Sequence, residues 1–540
     1  MEKKRFLLLM SLALLAICCL PSCKRDTTAE TKSLTIGLET DITSLDPIKT
    51  LDPHVSRVVG QIFEGLVGLD ENNKVIPLLA ESWKPNENFD RWSFTLRKGV
   101  LFHESELFGA SKTRELTAED VAFSFNRIFS KESMIGFVLD GVIKGGADVK
   151  AGKVSTLSGI KVVSPDEIEF QLESPDPLFP NRLTSVLLAV VPREVVTLPP
   201  GEFGIKMTVG TGPFRVDQRT DSEALLSRNL KYWRQTAGNV EKLDFRVIKN
   251  DQIRLVELKN KKLDLARVPS ALADGVAERA SDTETGLKLR PDWQDFQFSV
   301  FRTFNVVALG FNCDKMDIHL RRAINFGIKR KDIVGLSLPG LTELAVGPIP
   351  LGFPGYQPVT TNDIYDAQKA RAELKLSKWL PSQPLEILVH EKDGSEEVGQ
   401  LIQAQLKDIG LEAKLTKLDY NAVIARMISG EFSSFIMAFE FIYSTPGPIL
   451  EMNFNPKKIP VPNFWRYNNP EVTGILEQFK SVKDSADANR LALEIEKQVL
   501  EDPPAAFLFQ NKMFIVYRKG ISNVEFNGHS VPLLWETKVD

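Results

Sequence analysis

Residues that commonly carry chemistry or crosslinks are scarce in this sequence. Four cysteines and five histidines occur in 540 residues. The histidines, His54, His103, His319, His390 and His529, stand far apart without metal-ligand spacing, so no metal site is expected. There is no Gly-x-Ser-x-Gly elbow and no recognisable pair of catalytic carboxylates, which argues against an enzyme and leaves no cofactor to expect. The stretch Gly210, Thr211, Gly212, Pro213 lacks the spacing and the lysine of a phosphate-binding loop and reads as a tight turn. Long runs of positive charge are missing as well. The net charge is -4 with no long basic block, which excludes a dedicated nucleic-acid binder, and Lys261 and Lys262 read as a solvated face.

The cysteines themselves are mostly accounted for by the N-terminus. Lys3, Lys4 and Arg5 precede an apolar run from Phe6 to Leu20, too short to cross a membrane comfortably but suited to an export signal. Leu20, Pro21, Ser22 and Cys23 resemble the lipobox of bacterial lipoproteins. That resemblance implies that residues 1–22 are removed and Cys23 carries lipid, with a plain cleavable signal as the alternative. Cys18 and Cys19 would leave with the signal, so Cys313 alone remains, no internal disulfide is expected, and Cys313 in "GFNCDKM" reads as a small core residue. Residues 23–33 form the lipidated cysteine and a polar tether, which places the body at the cell envelope, periplasmic or on the outer face of the cell membrane according to the type of bacterium.

What is abundant is ordinary globular material. With 43% apolar residues the chain has enough for more than one core. Leu34, Ile36 and Leu38 alternate as in a strand, and "RWSFTLRKGV" and "DEIEFQLESP" do the same. "LTAEDVAFSFNRIF" predicts a helix capped by Thr117, with Asp120 completing a capping box and Val121, Phe125 and Ile128 on one face. From Leu385 to Ile428 the pattern is strand, helix, strand, helix, with Gly410 ending the first helix. Such a unit implies a partly parallel sheet covered by helices, whose ligands sit beyond the carboxyl ends of its strands.

Several stretches in order resemble the bacterial extracellular solute-binding proteins of the oligopeptide and dipeptide class, family 5, which serve ABC importers. They are "VVGQIFEGLVGLDENNKVIPLLAESWKPNENFDRWSFTLRKGVLFH", "LTAEDVAFSFNRI", "VGTGPFRV", "LLSRNLKYW", "LKNKKLDLARV" and "LRRAINFGIKRKDIV". The resemblance implies an α/β protein of the two-lobed type II periplasmic-binding architecture. Lobe I would comprise 34–63, 199–300 and the return 503–540, an extra subdomain 64–198, and lobe II 301–502. A monomer is implied that closes on a peptide ligand by hinge motion and delivers it to permease subunits. Trp83, Trp92 and Trp233 read as packing residues, and "HESELFGASKTREL" departs from the family as a longer surface loop.

"AFEFIYSTPGP", Ala438 to Pro448, carries the binding expectation. As a strand it puts Phe439, Phe441 and Tyr443 on one face and Glu440 and Ile442 on the other. A buried lone carboxylate is costly, so Glu440 needs water, an internal arginine such as Arg426, or a ligand cation. In peptide-binding relatives an aspartate after a Gly-x-Phe/Tyr segment captures the peptide's ammonium while nearby backbone pairs with the peptide. Gly430, Phe432 and Pro446 keep that spacing, which places Phe439 at the family's tryptophan and Ile442 at its aspartate. Glu440, two residues earlier on the same strand face, is the expected substitute. Phe439, Phe441, Ile442, Tyr443, Thr40 and Asp41 are expected beside it in the ligand cleft. The alternatives are a receptor for a nonpeptide or N-blocked ligand, and a surface adhesin lipoprotein.

Overall fold

The strand Ala505–Arg518, "AAFLFQNKMFIVYR", is apolar at both ends and polar in the middle, and the architecture follows from that pattern. In the computed structural model, which describes residues 31–540 apart from 284, 354–355, 361, 381–382, 391–393 and 483, this strand belongs to two halves of one sheet. Its first residues pair antiparallel with Asn305–Phe311, from Gly310 opposite Ala505 to Val307 opposite Phe509. Its last residues pair with Phe296–Arg302 and with Leu265–Val268. The polar centre lies where the partners change, and there Gln510 and Asn511 pair antiparallel with a further short strand, Thr342–Leu344. There Gln510 is fully buried, donating from Nε2 to Thr303 O (2.6 Å) and Leu351 O (3.1 Å). Asn305 and Asn511 exchange two hydrogen bonds of 2.8 and 2.9 Å.

Among the described residues the sheet has twelve strands. On one side of Ala505–Arg518 the order outward is Asn305–Phe311, Ser434–Glu440, Leu385–His390, Ala413–Leu418; on the other it is Leu265–Val268, Ser33–Leu38, Lys242–Val247, Glu223–Arg228, Phe214–Arg219. The expected strand-helix-strand-helix unit is present. Leu385–His390 and Ala413–Leu418 run parallel, the helices Ser395–Asp408 and Tyr420–Ser429 follow them, and Gly410 takes the left-handed conformation (φ 93°) beyond the first helix. The next strand, Ser434–Glu440, is parallel to Leu385–His390, so its C-terminal residue Glu440 lies at the strand end where α/β sheets hold ligands.

Residues 64–198 contribute a separate four-stranded antiparallel sheet, in the order Ala80–Pro85, Arg91–Leu96, Glu167–Gln171, Ile160–Ser164. The helix Ala118–Ile128 has the predicted capping box at Thr117 and Asp120, and it buries Val121, Phe125 and Ile128. The desolvation of buried Asp120 is offset by two hydrogen bonds from Arg114, of 2.6 and 2.7 Å, and by further donors, the Thr117 and Arg193 backbone N–H groups. Trp92 is buried and Trp83 stacks on Phe94. The inserted loop after His103 contains a short 3-10 turn, Glu106–Ser111, with no buried residue.

The junction between this sheet and the larger one is built on Glu64. Its buried carboxylate accepts from Tyr232 Oη (2.8 Å), Thr211 Oγ1 (2.8 Å) and Trp233 Nε1 (3.1 Å). The neighbouring Gly210 and Gly212 serve close backbone approach rather than a tight turn. A Cβ on Gly210 would stand 2.1 Å from Ile62 O, and Gly212 N–H donates to that carbonyl at 2.8 Å.

Burial outweighs the three donors and pushes the Glu64 carboxyl up to about 7 from 4.5. A raised carboxyl pKa stabilises the fold fully below the unfolded value and loses that contribution as pH rises through the folded one. Between pH 4.5 and 7 the wild type is therefore expected to lose on the order of 2 to 4 kcal/mol relative to Glu64→Gln, which has no charge to bury. Urea unfolding of both proteins across that window measures the difference; a constant difference would mean that Glu64 stays ionised throughout.

Candidate functional site

The strand Ser434–Glu440 is buried through Met437 and becomes progressively exposed toward its end. Phe439 packs half-buried against Trp465, with ring centroids 4.8 Å apart, and against Phe435 at 6.3 Å. Glu440 pairs in register with Asn305 and its side chain is exposed. Phe441 N–H then donates to Phe304 O at 2.8 Å, so this backbone donor is already engaged within the chain. Arg426, the expected internal rival for Glu440, is held by Glu386 at 2.8 and 3.1 Å.

Glu440, Phe441 and Ile442 form one wall of a crevice enclosing about 560 Å³ of empty space, part of it open to solvent. The opposite wall is Leu51, Pro53 and Ser56, at the start of the helix Pro53–Ile62, together with Ser185–Leu187. Its floor is the crossing segment Thr303–Phe304 and the returning segment Gly528–Val531. Apart from Glu440 and His529, the lining is apolar, small or hydroxyl-bearing. Burial pushes the His529 imidazole down to about 4, so it is neutral at neutral pH. Its Nδ1 lies 3.3 Å from Phe441 O, a group that only accepts, so Nδ1 carries the proton; Nε2 stands 3.2 Å from Thr184 Oγ1. Glu440 is thus the one charged side chain lining this crevice among the described residues.

The other expected residues lie elsewhere. Tyr443 is buried and its hydroxyl donates to Val138 O at 2.8 Å, tying the strand's exit to residues 64–198. Ser444 Oγ continues this contact to Asn181 O at 3.1 Å. Thr40 and Asp41 follow the strand Ser33–Leu38 without lining the crevice. Thr40 Oγ1 is buried without a hydrogen bond, and Asp41 pairs with Lys249 at 2.6 Å on the surface. Beside them Glu39 is a buried carboxylate. Burial disfavours its charge, but Arg57 (3.0 Å), His54 (2.9 Å) and the field of Arg267 together hold it well below the usual carboxylate range. Cys23 lies outside the described residues. Burial pushes the Cys313 thiol up to about 12, which suits a packing residue and not a nucleophile.

Sequence reasoning missed His529 and the Thr303–Phe304 floor. Their partners are remote in the chain, Phe441 being 88 residues from His529, and no local pattern marks them.

The chain resembles the dipeptide-binding protein of Escherichia coli, 25% identical over 402 residues that cover 72% of this chain and 71% of that protein. Di/tripeptide-binding protein 2 of Pseudomonas aeruginosa is 23% identical over 476 residues, 86% of this chain and 87% of that one. Among solved structures, the ABC transporter-associated periplasmic binding protein DppA of Helicobacter pylori, in complex with the peptide STSA, superposes with a TM-score of 0.78. It is 22% identical and the match covers 94% of this chain and 98% of that one, which establishes the two-lobed binding-protein fold. With residues 74–460 matching the model of the bacterial extracellular solute-binding proteins, family 5, and a sheet shared between two lobes around a crevice, the chain belongs to that family.

Proposed function

We propose that this protein captures extended peptides by their free ammonium in the crevice beside Glu440 and delivers them, unchanged, to the permease of an ABC importer. The observation that carries this reading is the charge of the lining: a single carboxylate, Glu440, among apolar and hydroxyl groups. An ammonium entering there has one carboxylate to pair with, and closure strengthens the pairing by excluding water. The printed names of the relatives, dipeptide-binding and di/tripeptide-binding, support a peptide as the class of ligand. Strand addition then uses backbone groups other than Phe441 N–H, which is already bonded. The strand ladders support a division into lobes with crossings at 302–305 and 509–512.

Glu440→Gln keeps shape and removes charge. It is expected to weaken a free-amine peptide by about 1 to 2 kcal/mol, modest because Glu440 is exposed here, and to leave its N-acetylated form unaffected. Calorimetry on both proteins with both peptides isolates the coupling. Equal binding of the two peptides by wild type would assign the crevice to a ligand without a free amine, the reading that Ile442 in the aspartate position would then support.

Closure makes a second prediction. Small-angle scattering should show a smaller radius of gyration with a bound peptide, and the melting temperature should rise with peptide concentration. A tight ligand that changes neither would refute hinge closure.

The export reading adds lipid at Cys23. Cys23→Ala is expected to abolish acyl labelling and release the protein from membranes, and membrane retention by the variant would count against the anchor.

A further inference from the structure

A second crevice separates residues 64–198 from the helices of the second half, with about 1070 Å³ of empty space, part of it open to solvent. Tyr443 lines it while its neighbour Ile442 lines the first, so consecutive residues serve the two. Its walls come from both halves of the molecule, which touch here through Tyr443 Oη to Val138 O (2.8 Å) and Lys458 Nζ to Asp140 Oδ2 (3.4 Å). The wall is largely apolar, with Phe137, Val142, Leu178, Met452, Phe479 and Val482.

Five charged side chains face this space: Asp140, Asp176, Arg182, Glu451 and Lys458. Arg182 is ion-paired with Asp176, and Lys458 with Asp140, which Lys150 also approaches from outside at 3.6 Å. Glu451 has no ion pair within bonding distance among the described residues, although its charge acts on Arg182, and it accepts a long 3.5 Å contact from Asn455 Nδ2. Thr445, 2% exposed, also lines the crevice, and its Oγ1 has no hydrogen-bond partner among the described residues. Thr445 begins the helix Pro446–Phe454, but an anion is a poor fit for that terminus because Pro446 and Pro448 each lack the N–H that anion binding uses.

We propose that this crevice is a second ligand site, taking an organic ammonium ion with an apolar body, which pairs with Glu451 and the Thr445 hydroxyl while its body lies on Phe137, Leu178 and Phe479. Such a ligand touches both halves and stabilises the closed state by whatever affinity the open state lacks. The ammonium has two possible sources, a free amine or the terminus of a peptide held in the first crevice. The site does not depend on Glu440.

Phenethylammonium and its neutral isostere phenethyl alcohol, titrated calorimetrically into the full chain, test the proposal. Glu451→Gln should weaken the ammonium about tenfold and leave the alcohol unchanged, whereas Glu440→Gln should affect neither. Thr445→Val, which keeps the shape, should weaken the ammonium to a smaller degree, and circular dichroism verifies that each variant is folded. If the ammonium still binds when the first crevice is saturated with peptide, the natural occupant is a free amine. If the peptide displaces it and Glu451→Gln weakens the peptide too, the occupant is the peptide's own terminus. An ammonium that does not bind, or that binds wild type and Glu451→Gln equally, overturns the proposal. Failure of the Glu440 coupling with success here would reject only the assignment of the peptide's ammonium to Glu440.

Discussion

A single strand, Ala505–Arg518, belongs to both halves of the molecule, and this constrains every motion the crevice can make. Two lobes that share a hydrogen-bonded strand cannot slide past each other without breaking ladder bonds on both sides. The neighbouring chain segment changes ladder between Arg302 and Asn305, while Phe509 to Asn511 stay paired with the short strand Thr342–Leu344. At that position the sequence places Gln510, Asn511 and Asn305 in place of apolar side chains. Amide hydrogen bonds contribute roughly 1 kcal/mol each and tolerate reorientation, whereas interdigitated apolar packing resists any change of shape. The polar centre of an otherwise apolar strand thus suits the hinge closure proposed above.

The same constraint locates the crevice. Thr303 and Phe304, between the two ladders, form its floor, so ligand contact and bending share residues. The surrounding walls are held rigidly. Glu39, Arg57 and His54 fix the helix Pro53–Ile62 to the end of the strand Ser33–Leu38, and charge buried this deeply is costly to leave unpaired. Glu64 with its three donors does the same for the extra sheet.

How much of this was legible in the sequence depended on range. The capping box of Thr117 and Asp120, the strand-helix unit from Leu385 and the strand containing Glu440 rest on neighbours within a few residues, and local patterns reveal them. Partner choice across the fold left no such trace. The sequence offers Arg426 as an internal partner for Glu440, yet the strand Leu385–His390 beside the helix Tyr420–Ser429 brings Glu386 to it. The alternation expected through Tyr443 fails as a ladder because the strand ends at Glu440. Thr40 and Asp41 are expected in the cleft, yet Thr40 Oγ1 is buried without a hydrogen-bond partner among the described residues and Asp41 pairs with Lys249 at the surface.

The end of that strand decides what each later side chain can do. Once Phe441 N–H is donated to Phe304 O, the backbone is pinned to the hinge floor at this point, with Ile442 in the first crevice and Tyr443 in the second. A carboxylate at position 442 would lie inside the first crevice, whereas Glu440 lines it from the strand end, through a longer side chain with more freedom to lose on pairing. Moving the charge outward by two residues therefore trades strength of pairing for tolerance of position. It also leaves isoleucine where a fixed ion pair would have demanded one ligand geometry. If the crevice binds peptides as proposed, that exchange would favour breadth over affinity.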